Sequence, residues 1–143
     1  MHLDEQALFS DQQAITATAA STNYIDLGAA NTPPGGSNAI KQDFGGGNDI
    51  PLLIQVTEAF NNLTSLTVAV QVDDNTSFSS PKTVATSGAI ALADLVAGKK
   101  IPPFNVPIGV DQRYLRLNYT VAGTAPTAGK VTAGISGGLQ TNG

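Results

Sequence analysis

The chain has no cysteine and no tryptophan, and its single histidine is His2. A disulfide framework, a thiolate metal site and a cysteine nucleophile are therefore all ruled out. Ser-His-Asp chemistry needs an imidazole to take the serine proton, and one histidine beside the chain start argues against it. Zinc needs several converging His, Cys or carboxylate ligands, which the same scarcity disfavours. Charge is thin as well. Only 13% of residues are charged, about half the usual share. Seven Lys and Arg stand against eleven Asp and Glu, for a net charge of -4. The longest basic run is Lys99-Lys100, so binding to nucleic acid through phosphate neutralisation is not expected. No apolar run approaches the ~20 residues that span a bilayer. The acidic start Met1-His2-Leu3-Asp4-Glu5 lacks the apolar stretch of a signal peptide.

Ala, Thr, Ser, Gly and Asn fill the space that charge leaves. Such a surface is poorly suited to a free soluble monomer and points to coverage by other protein. The length of 143 residues fits one domain. Area scaling gives about 14,000 Å² buried on folding, enough for a real core without metal or disulfides. The lack of cysteine suits folding in a reducing cytoplasm.

The clearest pattern is SLTVAVQVDDNTSFSSPKTV, residues 65–84. Leu66, Val68, Val70 and Val72 alternate with Thr67, Ala69, Gln71 and Asp73. That is a strand with one apolar face, because successive side chains point to opposite sides. Asp73-Asp74-Asn75 breaks it with turn-forming side chains. Phe78 is a large apolar anchor within the turn, and residues 82–86 read as a return strand. Residues 113–121 form the cleanest strand, with Leu115, Leu117, Tyr119 and Val121 inward and Tyr114, Arg116, Asn118 and Thr120 outward. Residues 51–57 place Leu52, Ile54 and Val56 on one face. Shorter strands are expected at 13–18, with Ile15 and Ala17 inward, at 23–27, and at the end with Val131, Ala133, Ile135 and Leu139.

Two segments read differently. Residues 89–97 have the spacing of a helix of two turns or fewer, closed by Gly98 and complemented by Lys99-Lys100. Residues 101–109 alternate Phe104, Val106 and Ile108, but Pro102, Pro103 and Pro107 cannot donate to a ladder. They form an edge strand or an extended connector. About eight strands with no repeated crossover helices exclude a parallel sheet. The expected class is all-β: an antiparallel β-sandwich, as an eight-stranded jelly roll with at most one short helix. An immunoglobulin-like sandwich is the alternative, without its usual Cys and Trp. The expected core is Ile54, Val56, Leu66, Val68, Val70, Leu115, Leu117 and Ile135.

The expected organisation is an N-terminal arm at 1–12, one β-sandwich domain at 13–139 and a frayed tail at 140–143. The arm has two readings: a frayed or helical turn packed on its own domain, or a segment inserting Leu8 and Phe9 into a partner. A long Gly- and Pro-rich loop occupies 29–49. Loops of that length are usually functional or disordered. Ile40 and Phe44 sit within it and need something to pack against, either the body or a partner.

Little else points to chemistry. Asp73, Asp74 and Asn75 carry oxygens suited to calcium but lack EF-hand spacing. Glu58 and Asp111 are carboxylates without a reason to be paired. Gly45-Gly46-Gly47 lacks the Lys-Ser/Thr ending of a phosphate loop. Asn62, Asn75 and Asn118 begin glycosylation-type triplets, read as chance without a secretory signal. Tyr114 and Tyr24 are the outward aromatics a sugar-binding sandwich would use. No enzyme activity, metal or cofactor is expected.

The segments Ala7-Leu8-Phe9-Ser10-Asp11-Gln12-Gln13-Ala14, Ile25-Asp26-Leu27-Gly28, Gln71-Val72-Asp73-Asp74-Asn75, Arg113-Tyr114-Leu115-Arg116-Leu117-Asn118-Tyr119 and Thr127-Ala128-Gly129-Lys130-Val131-Thr132-Ala133-Gly134 carry a resemblance. With them the chain resembles the jelly-roll capsid cement (decoration) proteins of tailed bacteriophages. The 29–49 loop is longer than that family leads one to expect. The resemblance implies a protein made in the host bacterial cytoplasm and carried on the virion surface. It would bind the outside of an icosahedral head, bridging major capsid proteins, as a homodimer. Leu3, Leu8, Phe9, Ile40, Phe44 and Tyr114 are the expected interface residues. A carbohydrate-binding module and a tail or receptor-binding fragment are the rival readings.

Overall fold

The computed structural model describes residues 3–137. Nine strands are defined: β1 (Leu3–Ala14), β2 (Ala19–Ala20), β3 (Ile25–Asp26), β4 (Leu52–Glu58), β5 (Leu63–Asp73), β6 (Lys82–Thr86), β7 (Ile90–Ala91), β8 (Tyr114–Gly123) and β9 (Lys130–Ser136). They form two antiparallel sheets. One runs β1-β9-β4; the other runs β2-β8-β5-β6, with β3 also on β8 and β7 also on β5. The protein is an all-β sandwich.

The nine strands reduce to a simpler plan. β2 and β3 pair successive parts of β8, and β6 and β7 pair successive parts of β5. Each couple is one interrupted run. Residues 98–106 add a further run along β4, through Gly98 N–H to Val56 O, Val56 N–H to Lys99 O, Ile101 N–H to Ile54 O, Leu52 N–H to Phe104 O and Val106 N–H to Ile50 O. Nine less two, plus one, is eight runs. The first, eighth, third and sixth lie side by side in one sheet; the second, seventh, fourth and fifth lie in the other. Two interleaved Greek keys give this order, which is a jelly roll.

The period-2 patterns place the core between the sheets. Ile54, Val56, Leu66, Val68, Val70, Leu115 and Leu117 are buried, as expected, with Phe9, Ile15, Leu95, Ile101 and Tyr119 beside them. Ile135 is only partly buried and packs at the edge of this core. Tyr119 needs a partner for its hydroxyl, and it meets Ser10 Oγ at 2.8 Å between the sheets. Ser10 gives its own proton to Gln13 Oε1 at 2.7 Å, so Tyr119 is the donor of the pair. Burial pushes the Tyr119 phenol well above its usual range and keeps it protonated.

Several local expectations are corrected. From Leu3 onward the segment read as an arm is strand β1, paired with β9 and seating Phe9 in the core. Bulges between Leu3 and Leu8 hid its alternation. β1 ends at Ala14, so Ile15 is buried but Ala17 is exposed. The helix at 89–97 shrinks to one 3-10 turn, Leu92–Asp94, and Gly98 takes its positive φ of 91° in a later turn. In 101–109 the prolines destroy the phase: Val106 is buried, but Phe104 and Ile108 are exposed. Leu139 and the 140–143 tail lie outside the described residues.

The candidate partner-docking face

The expected interface residues do not converge. Phe9 is fully buried in its own domain, so it is not available to a partner. Leu8 faces the other way, on the outer side of the smaller sheet, half-buried and packed over Gly134. Leu3 is exposed at the start of β1. The loop splits its two apolar residues. Ile40 is 61% exposed, within a stretch exposed from 29 to 41. Phe44 packs against the core instead, with its N–H on Val110 O at 3.0 Å. Asp43 reinforces that half by accepting the Gly109 N–H. Gly45 makes the close approach possible, since a Cβ there would collide with the Pro107 carbonyl. Tyr114 lies across the molecule from Leu8, on the outer face of the larger sheet.

Tyr114 is the centre of a built cluster. Strand alternation in β8 turns Tyr114 and Arg116 outward while Leu115 and Leu117 point in. Tyr24 comes from the irregular stretch between β2 and β3, whose Asn23 N–H is held by Phe9 O at 2.9 Å. Its ring meets Tyr114 edge-on, 5.4 Å between centroids at 87°. The Phe78 ring centre lies 6.1 Å from that of Tyr24. The 73–80 turn delivers it: both Asp73 oxygens accept backbone amides, from Asn75 at 3.0 Å and Ser80 at 2.9 Å. Asn75 Oδ1 takes the Ser77 N–H. Phe78 itself adopts φ +47°, a conformation costly for a bulky residue, and is buried. The Asp73-Asp74-Asn75 stretch is thus a turn whose oxygens are largely spent on the backbone.

Two arginines cover these rings. The Arg113 guanidinium is 5.0 Å from the Tyr114 ring centre and forks onto Asp26, through Nε at 2.9 Å and Nη2 at 2.8 Å. That hydrogen bonding, with the Gly28 N–H beside it, holds the Asp26 carboxyl down at about 2. Arg116 stacks 4.2 Å from the Phe78 ring centre, and its Nε donates to Gln71 Oε1 at 3.0 Å. Partial burial presses its pKa downward, against the pull of Asp73; an arginine remains charged regardless. Away from this cluster the outer face is small and uncharged. The register sets Thr67 opposite Thr120, Ala69 opposite Asn118 and Ser65 opposite Ala122.

The alternation of Arg113-Tyr114-Leu115-Arg116 predicted an outward Tyr114 and Arg116. Tyr24, Phe78 and the Asp26 fork were not legible as one site, because they join residues 87 apart in sequence. Elsewhere a groove of about 430 Å³ lies between residues 45–49 and 103–108. Glu58 and Asp111 are not paired with each other; each holds a surface lysine, Lys130 and Lys82 respectively.

Fold and face together define a jelly-roll sandwich whose larger sheet has an outer face of small uncharged side chains, with one aromatic–arginine cluster at its end. A family model described as Bbp16 matches residues 9–135, and the chain belongs to that family. No curated protein matches the chain.

Proposed function

We propose that this protein is a structural virion component, a cement or decoration protein. It binds the outside of an icosahedral phage head, working as a homodimer that bridges neighbouring major capsid proteins. It is made in the bacterial cytoplasm and ends on the capsid surface, with neither nucleic acid nor membrane as a partner. The observation that carries this reading is the outer face of the six-stranded sheet. Away from the arginine–aromatic cluster, side chains such as Thr67, Ala69, Asn118 and Thr120 make it small-featured and free of charge, and depletion of charge marks the core of a protein interface. A Tyr- and Arg-rich cluster at its end has the composition of an interface anchor. The sequence resemblance supports the reading independently. Its two most specific stretches, 8–14 and 113–119, meet through the Ser10–Tyr119 hydrogen bond. Many weak contacts repeated around a shell add up to tight seating.

The same cluster disfavours the sugar-binding reading. Tyr24 and Tyr114 meet edge to face, so they do not offer one continuous platform. The functional test is a heat challenge of phage heads prepared without the protein. Adding it back is expected to raise the temperature at which packaged DNA is released. An unchanged release temperature at saturating protein contradicts a cementing role.

A further inference from the structure

We infer that Arg116 receives a carboxylate, from an Asp or Glu side chain of the protein partner, on the outer face of the six-stranded sheet. The inference rests on the shell-docking reading above and names the chemistry of one contact within it. The strand residues that carry charge on this face are Asp26, Asp73 and Arg116. Asp26 is neutralised by the Arg113 fork. Asp73 spends both oxygens on the amides of Asn75 and Ser80, so it acts on Arg116 through its charge alone and makes no ion-pair contact with it. Arg116 has no ion-pair partner among the described residues, and its only hydrogen bond there is from Nε to Gln71. A chain of net charge -4 presents here, beside a run of small uncharged side chains, one positive group without an ion-pair partner among the described residues.

The geometry is prepared for a carboxylate. Stacking on Phe78 and the bond to Gln71 fix the plane of the guanidinium. The two Nη groups stay free to form the parallel pair of bonds that a carboxylate accepts. Little ordering remains to be done on binding, which is where preorganised contacts gain affinity. The neighbouring Ala69 and Asn118 are too small to obstruct a flat partner surface. The occupant that fits is a protein surface of small side chains carrying one acidic residue.

Three variants test this by co-sedimentation with shells, each checked for an unchanged fold by thermal melting. Arg116→Gln is expected to weaken shell binding by about tenfold to a hundredfold. Arg116→Lys, which keeps charge and loses the fork, is expected to fall between it and wild type. Gln71→Glu sets a carboxylate of the same shape directly opposite Arg116. It is expected to melt no lower than wild type yet bind shells about tenfold more weakly, because the arginine is already satisfied. Wild-type affinity in all three, with wild type itself binding, overturns the inference and leaves the docking reading standing. Weak binding by Arg116→Gln with wild-type binding by Gln71→Glu also overturns it, because Arg116 then acts only through the fold. Wild-type protein that leaves shells unbound overturns the docking reading, and this inference with it.

Discussion

Tyr119 and Ser10 show how single residues tie this sandwich together. The phenol is buried in an apolar core, and its hydroxyl is affordable only because Ser10 Oγ accepts it. Ser10→Ala leaves that hydroxyl without its partner and is expected to cost about 1–3 kcal/mol in urea unfolding. Adding Tyr119→Phe should recover part of the loss, since removing both partners is cheaper than stranding one. Strict additivity of the two losses contradicts the pairing. Asp26 gives a pH-dependent counterpart. Its carboxyl is lowered from 3.8 to about 2, first by hydrogen bonding from Arg113 and then by the Gly28 N–H. A depressed folded value means the stabilisation is complete above about pH 4 and is lost as pH falls toward 2. Glu58 beside Lys130 and Asp111 beside Lys82 are lowered in the same sense. Asp26→Asn is therefore expected to flatten the fall in urea midpoint between about pH 4 and pH 2. An unaltered slope over that window rules the pair out as a contributor.

Among the elements, β1 changes the account most. A detachable arm would leave the free fold intact when residues 1–10 are deleted. With Phe9 in the core and β1 closing one sheet, that deletion is expected to cost at least about 3 kcal/mol, the lower end for losing a buried aromatic side chain. A truncated chain that melts with wild type contradicts this placement. The loop behaves as two halves. Hydrogen exchange on the free protein should show the Phe44 amide, bonded to Val110 O, protected well beyond most amides of 29–39. Uniform protection across 29–49, or none at Phe44, contradicts the division. These elements also show what a sequence reveals. β5 and β8 were readable because each buries one face along a regular strand, so Leu66 to Val72 and Leu115 to Tyr119 repeat every second residue. β1 was not, because its first residues are exposed and bulged. The 98–106 run was half-readable: its prolines announced a broken ladder, but they also reset which of Phe104, Val106 and Ile108 points inward. The arginine–aromatic cluster was readable at Tyr114 and Arg116 alone, because Asp26, Tyr24 and Phe78 reach it only through the tertiary fold.

At the scale of the whole molecule the two sheets differ. The smaller is edged on one side by β1 and on the other by the proline-broken 98–106 run. The larger carries the outer face of small side chains and the Tyr24–Phe78–Tyr114 cluster. A partner seated there would cover a stretch of small uncharged side chains, while the paired charges Lys82–Asp111 and Lys130–Glu58 stay at the surface. On the proposed cementing role, repetition rather than the strength of any one contact would supply the hold on a shell. Co-sedimentation of the purified protein with mature and immature shells tests this claim most directly. The account predicts saturable binding with a fixed number of copies per shell, abolished when the outer face is blocked by Ala69→Arg combined with Thr120→Arg in a protein that still folds. Wild-type protein that remains in the supernatant with both kinds of shell, or binding that the blocked face leaves intact, contradicts it.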